Sequence, residues 1–531
     1  MDLYLNDLRV ASTHASPAPS PVRRVHRATP VAATDPLPGP SNESRNSREQ
    51  IRTFAFRVRG LWRYCDRRSR LTVRVEGQRL PIAGHGMFLN PHRGGKESFV
   101  ALRALFDAGY VLSQMGDVQL SKQLDVEWQR AVMALYSRVR EVVAEHHGYD
   151  AFAIYGTLLG AVREQGYIGH DVDFDAAYLS SLREPRAAAA EFERIAMTLI
   201  KAGLEVDAKL SALHIHDPTE PKIKIDLFHL YFDVDGKVRF PFGVAGHTQV
   251  TEDDWSGTRE IDFSEGKLAI PVNAEQLVAH IYGHDWREPR PGFDWNRDRT
   301  DQAVEALLTQ EQRTEIYWAN FYARTEYSTG STFSEFVSNY EGAPTRIIDI
   351  GCGEGRDSCA FGSKGKRVLG LDQSQVGIEQ ATKHAANLGV AELVTFDICD
   401  VADGERLLGV LTNFVGESRE PVVYYLRFFL HAISEAAQGT VLRAIDASAR
   451  EGDYFAAEFR TDKDAKNTKV HQKHYRRFQN AEIFRDSLVR QHRFEVLHEE
   501  EGIGLSPYKE EDPVLYRIVA RRPGTRDDSQ R

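Results

Sequence analysis

The sequence predicts a multidomain α/β protein, and three observations predict it. The chain has 531 residues, which at roughly 150 residues per domain makes about three folding units. Hydrophobic residues make up 42% and charged residues 27%, a balance that builds cores rather than fibres or unstructured chain. Short strands and helices mix between Phe152 and Trp295. From Arg346 onward, strand, glycine-rich turn, helix and strand then follow one another as in a parallel sheet.

Residues 1–50 are rich in Pro, Ser, Ala and Arg, as in Ser16–Pro21 and Asp35–Pro40, and read as an unstructured tail because so little apolar surface offsets ordering entropy. Residues 51–123 read as a small β-rich region. Phe54, Phe56 and Val58 alternate with Ala55 and Arg57, and Leu71, Val73 and Val75 with Thr72 and Arg74, which predicts a hairpin or small sheet. Leu124–Glu145 reads as a helix with Val132, Leu135, Tyr136, Val139, Val142 and Val143 on one face. A domain over 124–295, a linker with a helix over 296–332, a second domain over 333–521 and a polar tail over 522–531 complete the expected organisation.

Composition excludes several classes. Lys and Arg number 67 against 77 Asp and Glu, a formal charge of −10, so no nucleic-acid partner is expected from bulk electrostatics. The four cysteines, Cys65, Cys352, Cys359 and Cys399, show neither disulfide nor zinc spacing. No apolar run is long enough for a transmembrane segment and no leader pattern is present, so a soluble, cytoplasmic protein is expected.

The first chemical signal is Tyr155-Gly-Thr-Leu-Leu-Gly-Ala-Val-Arg163, followed by Gly166-Tyr-Ile-Gly-His-Asp-Val-Asp-Phe-Asp175. In an extended strand Asp171, Asp173 and Asp175 share a face, with Val172 and Phe174 toward the core. Carboxylates so close repel one another unless a cation lies between them, and a hard divalent ion is the simplest solution. Asp226, in the alternating run Lys222–Phe228, completes the cage if its strand is a neighbour. Gly156 and Thr157, between a strand and a helix beginning near Leu158, suit backbone approach to a phosphate, and Arg163 can neutralise phosphate charge or simply lie exposed. Phosphate cradle and carboxylate-held cation together point to transfer at phosphorus.

This combination, with Lys224-Ile-Asp-Leu-Phe228 and Tyr282-Gly283, Trp286 and Pro289, resembles the LicD/fukutin-related family over about 124–295. The resemblance implies a nucleotidyltransferase-like α+β domain. It also implies transfer of phosphocholine or an alditol phosphate from a CDP-linked donor to a glycan acceptor. Asp173, Asp175 and Asp226 would hold Mg2+ or Mn2+, Asp171 would be a base or outer ligand, and Gly156 and Thr157 would contact the donor diphosphate.

The second signal is Arg346-Ile-Ile-Asp-Ile-Gly-Cys-Gly-Glu-Gly-Arg-Asp357, a strand running into glycines that permit a tight turn and close ligand approach. Asp372 ends the next strand, where it can accept from both ribose hydroxyls of an adenosine, and Asp400 follows the third, in reach of an adenine amino group. A dinucleotide-binding domain shares this logic, but its G-x-G-x-x-G spacing is not found here. Asp349-x-Gly351-x-Gly353-x-Gly355 is similar to motif I of the class I S-adenosylmethionine-dependent methyltransferases over about 333–521, a Rossmann-like fold. That resemblance implies S-adenosyl-L-methionine as cofactor, with Asp349, Gly351 and Gly353 on its methionine side, Asp372 on the ribose and Asp400 on the adenine.

On the acceptor side, Arg427 can hold an anion and His431 can remove a hydroxyl proton. Tyr317, Phe321 and Tyr322 are expected to pack into the core rather than to cover the cofactor. The two resemblances together imply a bifunctional enzyme of cell-surface polysaccharide synthesis. Two alternatives remain: a nucleotidyltransferase acting on a small molecule, RNA or protein beside an unrelated methyltransferase, and a methyltransferase carrying an inactive LicD-like binding module.

Overall fold

The computed structural model describes residues 1–12, 16–17, 52–53, 56–90, 95–290, 293–324, 329–467, 476–508 and 510–524. The chain folds as two units. One takes Met1–Arg140, Tyr149–Glu184 and Ile223–Val304; the other takes Glu141–Gly148, Pro185–Lys222 and Glu305–Arg531.

In the first unit, Leu3 and Leu5 alternate with Asp2 and Tyr4, and Asn6 makes the turn at φ 55°, a conformation asparagine tolerates. Strands β1 (Asp2–Leu5) and β2 (Leu8–Ser12) pair antiparallel. β1 also pairs with β3 (Leu71–Val75), and β3 with β4 (Gln78–Arg79). Leu3, Leu5, Val10, Leu61, Tyr64, Cys65, Leu71 and Leu102 form their core. This corrects the expectation of an unstructured start. A 50-residue composition average hides an eleven-residue hairpin, and the partner of Leu71–Val75 is the chain's own beginning, not Phe54–Val58. Most of that expected tail, residues 13–15 and 18–50, lies outside the described residues, as do Phe54 and Ala55.

A small hairpin follows, β5 (Tyr110–Leu112) with β6 (Val118–Leu120). Helix α1 (Val126–His147) buries Val132, Leu135, Tyr136, Val139 and Val143, the face its periodicity predicts. Tyr136 Oη donates to Ala151 O at 2.7 Å. Next comes a mixed sheet. β7 (Phe152–Ala153) is antiparallel to β8 (Asp175–Ser180), and β8 is parallel to β9 (Lys224–Phe232). β9 is antiparallel to β10 (Val238–Arg239). Between β7 and β8 the chain makes a short helix, α2 (Tyr155–Leu159), that widens into a π-turn over Gly160–Glu164.

The second unit is built on a seven-stranded sheet of β13 to β19: Arg346–Ile350, Arg367–Asp372, Val394–Ile398, Val422–Arg427, Tyr454–Arg460, Glu495–Gly502 and Leu515–Arg521 (β11, Thr258–Phe263, and β12, Gly266–Pro271, form a hairpin in the first unit). The order is β15-β14-β13-β16-β17-β19-β18; the first five strands are parallel and β19 runs antiparallel to both neighbours. Both faces are covered, so the strands read as continuous apolar runs. Ile348 and Ile350 enter one core with Leu426, Phe455 and Phe459, while Ile347 enters the other with Phe361, Val368 and Val423. Helix α3 (Gln310–Arg324) buries Ile316 and Ala319, and its Asn320 Oδ1 accepts from Val206 N–H at 3.1 Å. All four cysteines are buried and free, and among the described residues no helix is long and apolar enough to cross a membrane.

Candidate functional site

The parallel register of β8 and β9 sets Asp175 opposite Asp226. Ligand oxygens of Asp173, Asp175 and Asp226 lie within 4.8 Å of one another. Of Asp171, Asp173 and Asp175, only Asp175 is in a strand. Residues 171–174 are irregular, which corrects the expectation of one extended strand with three acids on a face. Phe174 is fully buried and its carbonyl accepts from Asp226 N–H at 2.8 Å, which anchors the loop.

Tyr155 stands at φ 43°, an uncommon conformation for a bulky residue. Its ring is held edge-on by Phe228, Phe242 and Trp295 and its hydroxyl donates to Gly243 O at 3.0 Å. The two residues after it serve Asp175: Gly156 N–H donates to Asp175 Oδ2 at 3.0 Å, and Thr157 Oγ1 accepts from Asp175 N–H at 2.8 Å. A Cβ at position 156 would lie 2.6 Å from Asp171 Oδ2 and 3.2 Å from Asp175 Oδ2, so glycine is required where the carboxylates crowd the helix start. Arg163 is largely buried; its Nε lies 2.7 Å from Glu164 and Nη1 donates to Trp286 O at 3.3 Å. It is not an exposed helix-face arginine.

Burial first, and then Asp173, Asp171 and Asp226, push the Asp175 carboxyl well above the usual carboxylate range. Burial and Asp173 do the same to Asp171. Lys224 answers this charge, with Nζ 2.7 Å from Asp226 Oδ1 and 3.6 Å from Asp173 Oδ2. Burial disfavours its ammonium, but Asp226 and Asp173 outweigh that and raise its pKa. Asp171 has different partners. Gln114 Nε2 donates to its Oδ1 at 2.6 Å, Val172 N–H donates to the same oxygen at 3.0 Å, and Gln119 Nε2 donates to its carbonyl at 2.7 Å. Both glutamines flank or lie in the β5–β6 hairpin, a region with no chemistry in its sequence. Lys224 was legible from the alternation Lys222, Lys224, Asp226; Gln114 and Gln119 carry no local signal.

In the second unit a cavity of about 450 Å3 opens where the parallel strands end. Asp349, Gly351, Gly353, Asp372 and His431 all line it. Gly351 (φ 81°) and Gly353 (φ 56°) turn the chain after β13, and a Cβ on either would meet Phe429 or Tyr322 within 2.6 Å. Asp372 accepts from Gly353 N–H at 3.0 Å and Ser374 N–H at 2.8 Å; burial raises its pKa against those bonds. Asp349 accepts from Ser358 Oγ at 2.6 Å and is pushed up to about 8, by burial and then by Asp357.

Asp400 is exposed and accepts from Ala402 N–H at 2.9 Å; at that strand tip Cys399 and Val401 form the cavity wall instead. Arg460 N–H donates to His431 Nδ1 at 3.3 Å, which leaves the neutral ring's proton on Nε2, so taking a proton there requires the other tautomer. Arg427 Nε is 3.2 Å from the fully buried Glu458 and 3.8 Å from Asp357, so its charge is already answered. Tyr317, Phe321 and Tyr322 of α3 line the cavity, which corrects the expectation that these three aromatics pack into the core, and Trp318 lines it with them.

Residues 148–273 match the family model for the LicD/FKTN/FKRP nucleotidyltransferase domain, and residues 342–409 match a methyltransferase domain. Among solved structures, a S-adenosylmethionine-dependent methyltransferase from Anabaena variabilis ATCC 29413 shares 18% identity over 39% of this chain and 93% of its own, with a TM-score of 0.31. The glycopeptide N-methyltransferase MtfA shares 14% over 37% and 97%, with a TM-score of 0.30. The Burkholderia thailandensis 1,6-didemethyltoxoflavin-N1-methyltransferase shares 23% over 36% and 76%, with a TM-score of 0.27. The chain thus carries, in this order, a LicD/FKTN/FKRP-type nucleotidyltransferase domain and a methyltransferase domain.

Proposed function

We propose that the protein is a bifunctional transferase. One site moves a phosphorylated group, phosphocholine or an alditol phosphate, from a CDP-linked donor to a glycan hydroxyl. The other methylates the glycan or its substituent with S-adenosyl-L-methionine. The convergence of Asp173, Asp175 and Asp226 within 4.8 Å is the observation that carries the first half, because three hard oxygen donors this close together fit Mg2+ or Mn2+. A divalent ion held there would draw charge from the donor phosphates and favour in-line attack.

The chain's own residues do the rest. Gly156 and Thr157 fix Asp175 and lie where the diphosphate would rest; Arg163 adds positive charge beside them. Asp171 takes the proton of the attacking hydroxyl as the new oxygen–phosphorus bond forms and CMP leaves. In the second site Asp349, Gly351 and Gly353 receive the methionine end of the cofactor and Asp372 the ribose. Asp400 is assigned to the adenine by motif alone, and His431 faces the acceptor.

The test incubates purified protein and Mn2+ with CDP-choline, CDP-glycerol and CDP-ribitol and measures CMP. Asp173→Asn and Asp175→Asn are expected to lose both Mn2+ binding and CMP release. Labelled S-adenosylmethionine then reports methyl transfer to the product. Equal Mn2+ binding by wild type and both variants overturns the cation site.

A further inference from the structure

Four arginines line the cavity of the second unit: Arg356, Arg427, Arg460 and Arg476. Three are anchored. Arg356 Nε donates to Thr329 O at 2.8 Å. Arg427 faces Glu458 and Asp357. Arg460 Nη1 lies 2.8 Å from Asp464 and 2.5 Å from Glu511. Arg476 differs. Among the described residues it makes no ion pair, and its buried Nε has no hydrogen-bond partner. Burial and then Arg460 hold its pKa below the usual guanidinium range; Glu511 and Asp464 oppose this, but both are engaged by Arg460. A half-buried cation without a partner is costly unless an anion arrives to meet it.

Its position tells which part of the cavity that anion would occupy. Arg477 N–H, the next residue, donates to His431 O at 2.8 Å, and Arg460 N–H donates to the same residue's ring. Arg476 therefore belongs to the wall that also carries His431. Arg460 ends β17, and Asp372 ends β14, three strand spacings or about 14 Å away across the sheet. The acids that suit a ribose and an ammonium are on β13 and β14, and the unanswered guanidinium is on the far side of the cavity from them.

We propose that Arg476 is the anion-recognition group of the methyl-acceptor subsite, and that the acceptor bears a phosphate group. The choice of phosphate over carboxylate rests on the proposed chemistry of the first site, whose product or precursor carries one; the subsite itself rests on Arg476. A planar guanidinium offers two parallel donors to a phosphate, and Tyr317, which also lines the cavity, is near enough to feel its charge.

The experiment is calorimetric titration of the full chain with phosphocholine and glycerol 3-phosphate, and with choline, glycerol and succinate as controls. It is run with S-adenosylhomocysteine present and in EDTA, so that cation-held phosphate at the first site does not contribute. Both phosphate esters are expected to bind wild type, while choline and glycerol do not. Arg476→Gln is expected to weaken phosphate binding at least tenfold, and Arg476→Lys to stay within about threefold of wild type, with the melting temperature and S-adenosylhomocysteine affinity unchanged in both.

Absence of phosphate-ester binding to wild type, or equal binding by Arg476→Gln, overturns the subsite. A tenfold loss of S-adenosylhomocysteine affinity in Arg476→Gln overturns it too, because the arginine would then serve the cofactor's carboxylate. Tighter binding of succinate than of either ester overturns the phosphate assignment. If Arg476-dependent phosphate binding is found while no CDP-linked donor is turned over, the reading of the first site fails and the subsite stands.

Discussion

Lys224 and Asp226 lie on one face of the same strand, with the ammonium 2.7 Å from the carboxylate and also within 3.6 Å of Asp173. The lysine therefore stands where positive charge is needed when no other cation is present. A divalent ion entering the three carboxylates must push this ammonium aside against like-charge repulsion. Lys224→Met is expected to bind Mn2+ about tenfold more tightly than wild type, measured by electron paramagnetic resonance titration. Weaker binding would show that the lysine holds the carboxylates in place rather than competing for them.

Gln114 reaches Asp171 from a hairpin that lies outside the stretch matched by the LicD model. Gln114→Leu keeps the side-chain volume and removes the donor. CMP release is expected to fall at least tenfold in kcat, because Asp171 loses its orientation. KM for the donor and Mn2+ affinity should stay within twofold, since Asp171 is not among the three converging carboxylates. An unchanged kcat would make the contact ornamental.

Asp349 is held near 8 by burial and Asp357, so below that pH it is largely protonated in the free protein. An ammonium group docking beside it would favour the carboxylate and release the proton. Binding of S-adenosylhomocysteine at pH 7 is expected to release close to one proton, and at pH 9.5 almost none, measured by calorimetry in buffers of different ionisation enthalpy. Asp349→Asn should release none at either pH.

Glu315 on α3 meets Glu193 on the Pro185–Lys201 helix, and burial followed by that repulsion raises its pKa from 4.5 to about 7. The folded pKa lies above the unfolded one, so the stabilisation is full below 4.5 and is lost as pH rises through about 7. Thermal melts should therefore show wild type losing more stability between pH 6 and pH 8 than Glu315→Gln. At pH 8 the variant should melt a few degrees higher. Parallel pH profiles would mean that the pair is fully hydrated.

Much of both sites was legible in the sequence because both are built on short contiguous motifs. Asp175 and Asp226 each fell in an alternating run, so the cage depended on those runs being neighbours, a condition that the parallel pairing of β8 and β9 meets. The order after Arg346 read as a parallel sheet from repeated strand–helix alternation, without its strand count. What escaped was set by distant partners. Asp2–Leu5 pairs with Leu71–Val75 across a long stretch of polar sequence, and no local pattern announces such a pairing. Asp171 lies outside the strand, where Gln114 and Gln119 hold it from some fifty residues earlier. The aromatics of α3 have the spacing of a core face, and only the helix's place beside the glycine turn makes them a cavity wall.

The unit that holds the cavity draws Glu141–Gly148 and Pro185–Lys222 from the middle of the chain, between segments of the other unit. No single break in the polypeptide yields both halves whole. A fragment beginning at Glu305 would leave α3 without the Pro185–Lys201 helix and without Val206, whose amide Asn320 receives. Separating the two units therefore takes more than one cut, because neither is a single continuous stretch of chain.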